Sequence, residues 1–198
     1  MREIVLITRE IVPYHYGGIG TLFMSAARLL SKSGHRVCIL TESRNEFNRD
    51  VVKHYYGDAE FFFVDIEKEN KFVDYSPSGG VVSTFKLGYS FSVAEAFRDH
   101  FSDNEADLVI SADFGAEAFA LSVFHALGEF PKTRFILHLS GALYEILDAY
   151  QNFSESDTWD ELNEPQNKLI CSMEDTCMLL ADEVVSPTAH AWAKVKQR

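Results

Sequence analysis

The residues best placed to do chemistry are the glycines of Tyr14-His15-Tyr16-Gly17-Gly18-Ile19-Gly20. They follow an apolar run over residues 4–8 and precede a helix-patterned stretch over residues 21–33. The free N–H groups at the start of a helix carry partial positive charge, so phosphate or another anion is the expected guest. Gly18 and Gly20 lack a Cβ, which lets the backbone come close to that guest. The alternative is a tight turn into the helix with no ligand at all. His138 closes the apolar run Phe135-Ile136-Leu137-His138, where it meets either a ligand or the core. Glu42 ends a further apolar run and reads as a ribose-hydroxyl acceptor or as a solvated strand end. Tyr14, Tyr16, Asp113, Tyr144 and Thr188 sit at comparable junctions and are candidate acceptor or cleft contacts. The seven histidines show no tight ligand spacing, so no metal site is expected.

Positioning these groups requires strands that alternate with helices. Strands are expected over residues 4–8, 36–41, 61–66, 107–111, 134–139 and 183–186, with a short one over 81–85. Helices are expected over 21–33, 91–101, 112–127 and 168–181, with another from Thr188 onward. Ser90 or Ser92 is a plausible N-cap for the helix 91–101. Gly34 and Gly128 suit helix stops. The first helix carries Leu22, Ala26, Leu29 and Leu30 as its apolar, buried stripe. Residues 43–60 give weak strand or helix signals, and 67–90 reads mostly as loop. Residues 151–167 carry five acids and no base around Trp159 and read as a solvated segment. The alternation predicts an α/β fold, doubly wound, with a mostly parallel Rossmann-like sheet and helices on both faces. Ligands of such sheets bind outside the carboxyl ends of the strands, which selects the positions named above.

Composition narrows the function further. At 198 residues the chain is one domain with room for a sizeable core. A net charge of −12 argues against nucleic acid and against docking on anionic lipid through basic residues. No stretch reaches the ~20 apolar residues of a transmembrane segment, and no signal-peptide pattern opens the chain. Cys38, Cys171 and Cys177 are too few and scattered for a disulfide framework. They read as reduced core thiols, which predicts a cytoplasmic protein.

The glycine loop has three readings. A P-loop needs Gly-Lys-Ser or Gly-Lys-Thr, which Gly20-Thr21-Leu22 does not supply. A dinucleotide fingerprint needs a third glycine where Phe23 stands, although Glu42 lies where its acid belongs. That keeps an NAD(P)-dependent oxidoreductase as an alternative, beside a non-catalytic α/β binding module.

The third reading rests on a resemblance. Glu10-Ile11-Val12-Pro13, then Gly17-Gly18-Ile19-Gly20, an apolar helix and Gly34-His35-Arg36-Val37 together resemble the N-terminal domain of GT-B-fold glycosyltransferases. The retaining, glycogen-synthase-like group is the nearest in pattern. Asp107-Leu108-Val109-Ile110 ahead of a helix, His138 at a strand end, Glu174 and the run from Ala181 to Thr188 extend the likeness over nearly the whole chain. The resemblance implies a metal-independent transferase of the hexosyl type, using a nucleotide-sugar donor and no cofactor. It implies that Gly17, Gly18 and Gly20 face the donor diphosphate and that His138 is the catalytic-site residue near the donor sugar. Leu139 follows His138 where the family pattern has an acid. The acceptor, a carbohydrate or another hydroxyl compound, is then held on this domain. A C-terminal donor-binding domain is expected outside these 198 residues, and the fragment alone is expected to be inactive.

Overall fold

The computed structural model describes residues 1–43, 47–64, 85–153, 164–189 and 192–193. The strands are β1 (Glu3–Ile7), β2 (Arg36–Glu42), β3 (Glu60–Val64), β4 (Leu108–Ala112), β5 (Arg134–His138) and β6 (Glu183–Val185). The helices are α1 (Gly18–Lys32), α2 (Arg49–Tyr56), α3 (Phe85–Phe101), α4 (Phe119–Ala126), α5 (Leu143–Phe153) and α6 (Pro165–Leu180). All six strands form one parallel sheet in the order β3-β2-β1-β4-β5-β6. The expected doubly wound, parallel α/β fold is therefore the observed one.

Alternation along the strands builds two cores. Val5 and Ile7 of β1, with Cys38, Leu40, Val109, Phe135 and Leu137, face α3, α4 and α6. Ile4, Leu6, Val37 and Ile39 face α1 and α2 on the opposite side. A strand buried on both faces must be apolar at every position, which is why these segments read as continuous runs. Each fully buried aliphatic or aromatic side chain contributes about 1.5–3 kcal/mol.

The order reverses direction between β1 and β4, so the loops leaving those two strands diverge and open a crevice at their carboxyl ends. Both loops belong to the candidate site.

Several expectations need correction. The buried face of α1 is Gly20, Phe23 and Ala27, one position round from the expected stripe. Leu29 is 66% exposed and Leu22 36%. Ser90 and Ser92 do not cap a helix, because α3 begins at Phe85 and both are buried within it. Phe85 therefore opens a helix, and residues 81–84 of the expected short strand lie outside the described residues. The expected helix 112–127 is broken into a 3-10 turn, Phe114–Ala116, and α4. Gly115 (φ 74°) and Ala116 (φ 48°) in the left-handed region cause the break. The weak signals around Tyr55 and Tyr56 belong to α2. Residues 154–163 of the acidic segment, Arg44, and the end of the last helix lie outside the described residues.

Gly34 and Gly128 do stop their helices. Gly34 (φ 83°) donates to Ser31 O while His35 donates to Leu30 O, and Gly128 (φ 95°) and Glu129 repeat the pattern on His125 and Phe124. Such paired backbone bonds satisfy the last carbonyls of a helix and need the left-handed conformation that glycine tolerates.

Candidate functional site

The loop from Thr8 to Gly17 is fastened on both sides. Arg9 donates through its backbone N–H to Glu117 Oε2 and through Nε to Glu117 Oε1, both at 3.0 Å. Its guanidinium lies 5.2 Å from the Tyr89 ring centroid and 5.5 Å from that of Phe85, within cation–π range. Val12 N–H donates to the hydroxyl of Tyr56 at 3.1 Å, and Asn48 N–H donates to the hydroxyl of Tyr14 at 2.8 Å. Burial pushes the Tyr56 phenol up to about 12, so it stays a neutral hydroxyl.

The glycines at the head of α1 are explained largely by one side chain. Glu10 folds back over the helix N-terminus, and its Oε2 accepts from Gly20 N–H at 2.9 Å. A Cβ on Gly17 would meet the movable carboxylate end of Glu10, whereas one on Gly20 would lie 2.9 Å from the Glu10 carbonyl oxygen, which is backbone. Gly18 differs: a Cβ there would meet nothing within 4 Å. A carboxylate of the chain itself therefore sits at the positive end of α1.

Two buried acids fix the opposite wall. Asp113 is 2% exposed; its N–H donates to His138 O at 3.0 Å. Its Oδ1 accepts from Ser140 N–H at 2.6 Å and from Phe114 N–H at 2.9 Å. Burial raises the Asp113 pKa, and the N–H groups of Ser140, Phe114 and Gly141 pull it back. Glu174 of α6 is fully buried and accepts from Gly115 N–H at 2.8 Å and Leu143 N–H at 2.9 Å. One carboxylate thus joins the turn after β4 to the start of α5.

His138 ends β5 with Nδ1 3.1 Å from Ser140 Oγ. Burial lowers its pKa while the charge of Asp113 raises it. Asp113, the residue after β4, is thus the charged group that acts on His138. Lys86, in the first turn of α3, has Nζ 5.9 Å from the Phe114 ring, and burial followed by Arg9 lowers its pKa.

These walls enclose two adjoining cavities. The inner one, about 260 Å³, lies at the reversal point between β1 and β4 and is lined by Arg9, Glu10, His15, Glu42, Phe114 and Glu117, with Ile19 and Ala112. The outer one, about 420 Å³, is lined by Gly18, Leu22, His138, Ser140, Ile146 and Pro187, among others. Glu10, Ile19 and Phe114 line both and form the wall between them.

Of the residues expected from sequence, Gly18 and His138 come together, on the outer cavity. Gly17 and Gly20 lie behind them against Glu10. Asp113 stands beneath the cavity as the clamp just described. Tyr14 packs on Phe47 with ring centroids 5.7 Å apart, Tyr16 is 76% exposed, Tyr144 is exposed on α5, and Thr188 bonds with Ser186. Among the described residues, these last four line neither cavity. Arg9 and Phe114 fall in the stretches 9–20 and 112–114 that the strand-end rule selects, whereas Leu22, read as core, and Ile146 were missed as site residues.

No protein-family model matches the sequence, and no curated protein does. The fold nevertheless has relatives: it is that of the Rossmann-like N-terminal half of GT-B glycosyltransferases. Phytolacca americana UGT2, solved with UDP-2fluoro-glucose and pterostilbene, matches with a TM-score of 0.58 at 12% identity. The match covers 100% of this chain and 51% of that one. A Polygonum tinctorium UDP-glucosyltransferase capable of glucosylating indoxyl matches at 0.54 and 13%, over 94% and 46%. A UDP-glucose: anthocyanidin 3-O-glucosyltransferase solved with UDP gives 0.52 and 13%, over 95% and 47%. The chain therefore spans about half the length of these structures.

Proposed function

We propose that the chain is the N-terminal, acceptor-side domain of a nucleotide-sugar-dependent glycosyltransferase of the hexosyl type. The observation that carries the reading is the outer cavity, where Gly18 at the head of α1 and His138 at the end of β5 face one space. It adjoins a second cavity at the sheet's reversal point. Two adjoining seats suit a reaction between two substrates. The nucleotide sugars named for the matched structures support the choice of donor.

In this reading the donor diphosphate lies against the first turn of α1 and the donor sugar against His138. As the glycosyl bond breaks, negative charge grows on the departing diphosphate. Fixed dipoles aimed there stabilise the transition state more than the ground state, so the rate rises without a metal. Because Glu10 holds Gly20 N–H, the diphosphate contact falls chiefly to Gly18. His138, kept neutral by burial, offers a hydrogen bond to a sugar hydroxyl.

The finer assignments follow the likeness of residues 10–20 and 181–188 to the glycogen-synthase-like group. They are retention of anomeric configuration and a C-terminal domain that holds most of the donor; the cytoplasmic setting follows instead from the three cysteines read as reduced thiols. Residues 1–198 alone are then inactive.

The test uses the full natural chain that contains these residues. Release of nucleoside diphosphate from UDP-, ADP- or GDP-glucose is followed, and the anomeric proton of the product is read by NMR. Turnover with a retained anomer supports the proposal; an inverted anomer overturns retention alone. Saturable binding of NAD or NADP, with no response to any nucleotide sugar, returns the protein to the oxidoreductases.

A further inference from the structure

Resting on that reading, we infer that Ser140 is a positioning residue: its hydroxyl, 3.1 Å from His138 Nδ1, holds the ring in the tautomer that carries its proton on Nδ1 and leaves Nε2 bare to accept from the substrate. The hydrogen bond between His138 and the donor sugar is then one in which the sugar hydroxyl donates.

The pair is held from a single residue. Asp113, 2% exposed, donates its N–H to His138 O at 3.0 Å, and its Oδ1 accepts from Ser140 N–H at 2.6 Å. Both ends of the segment 138–140 are thus tied to the residue that follows β4. Asp113 reaches the ring as a charge, while Ser140 reaches it as a hydrogen-bond partner.

A serine hydroxyl can donate or accept, so Ser140 by itself does not place the proton. The carbonyl of His138 itself decides the sense. It also bonds the ring, and a carbonyl only accepts. Within one residue only Nδ1 reaches the main-chain oxygen, since Nε2 lies on the far side of the ring. Nδ1 therefore carries the proton, and Ser140 Oγ accepts it. A neutral imidazole has one ring proton, so Nε2 is left as an acceptor. Among the described residues Nε2 has no hydrogen-bond partner, and His138 and Ser140 both line the outer cavity.

Asp113 grips the backbone N–H of Ser140 and not its hydroxyl, so losing the hydroxyl alters the ring and spares the turn. A ring without that partner divides between two tautomers, and only one of them accepts. Apparent affinity for the sugar falls with that fraction.

The test labels the histidine ring nitrogens of the full natural chain isotopically. Proton–nitrogen correlation spectra are read at about pH 8, above the ordinary histidine midpoint. The His138 signals are those lost in His138→Gln. The wild-type ring is expected in the Nδ1–H form; Ser140→Ala is expected to shift it toward Nε2–H, and Ser140→Thr, which keeps a hydroxyl, to restore it. Turnover of UDP-, ADP- and GDP-glucose is followed in the same variants. Ser140→Ala is expected to lose about three- to tenfold in kcat/KM, the worth of one hydrogen bond, and Ser140→Thr to recover most of it. A wild-type ring in the Nε2–H form overturns the inference, whatever the variants do. So does a tautomer that Ser140→Ala leaves unchanged. Either result in an enzyme that turns over a nucleotide sugar leaves the glycosyltransferase reading standing. Turnover of none of the three sinks that reading, while the ring spectra still decide the role of Ser140.

Discussion

The Glu10 carboxylate and Gly20 form a contact in which Oε2 accepts the glycine N–H at 2.9 Å while the Glu10 carbonyl oxygen lies 2.9 Å from where a Cβ would stand. Gly20 is thus required by the fold, whereas Gly18 opens on the outer cavity. Substitutions at the two should separate. Gly20→Ala must push backbone and is expected to cost about 1–3 kcal/mol in chemical denaturation. Gly18→Ala is expected to be neutral or to stabilise by up to about 1 kcal/mol, since alanine favours the helix. Its effect should instead appear as about tenfold weaker donor binding in the full protein. Equal melting of the two variants would remove the distinction.

His138 titrates under the influence of Asp113. Burial sets its pKa below 6.5, and the Asp113 charge raises it. Asp113→Asn keeps an oxygen for Ser140 and Phe114 but removes the charge. The His138 midpoint, followed by ring-proton NMR, is expected to fall further in that variant; a rise would contradict the arrangement. The stability consequence has a definite sign. Between the folded midpoint and 6.5 the unfolded chain takes up a proton that the folded chain does not. Stability from this group is full above 6.5 and is lost as pH falls through that window.

Glu174 is buried and serves two backbone donors, Gly115 and Leu143. Glu174→Ala leaves both unsatisfied and is expected to cost about 2–6 kcal/mol, at about 1–3 per stranded group. Glu174→Gln keeps one acceptor oxygen and should lose about half as much. Hydrogen exchange reads the locality: Gly115 and Leu143 amides should lose protection before those of β1.

Tyr56 is the support for the loop on the α2 side. Tyr56→Phe removes the acceptor of Val12 N–H inside the core. The expected cost is about 1–3 kcal/mol, with an unchanged circular dichroism spectrum. A loss below measurement would mean that Val12 finds another acceptor.

Much of the fold was legible because its strands are buried on both faces. Val5-Leu6-Ile7 and Phe135-Ile136-Leu137 are short apolar runs rich in β-branched and aromatic residues, and Gly34 and Gly128 mark their helix ends through the left-handed conformation that closes them. Helix α1 was found but starts at Gly18 rather than residue 21, because two glycines at its head read as loop, and its buried face was read one residue off, because Leu22 and Phe23 are both apolar and periodicity alone cannot choose between them. Helix α2 was ambiguous, since only Val52 and Tyr56 of its eight residues are buried hydrophobics. At the site, Gly18 and His138 were legible from their places at element ends. Glu10, Asp113 and Glu174 owe their roles to contacts over separations of 10, 27 and 59 residues, which leave no local signal.

Leu22 and Ile146 stand on the outer cavity from two different helices, α1 and α5, each more than a third exposed. Neither belongs to a core cluster, while the walls behind them are held by Glu10, Asp113 and Glu174. The doorway and the masonry are therefore separable. Selection, or an engineer, can exchange these two side chains to resize what passes through without disturbing a single tie that keeps the chamber in shape.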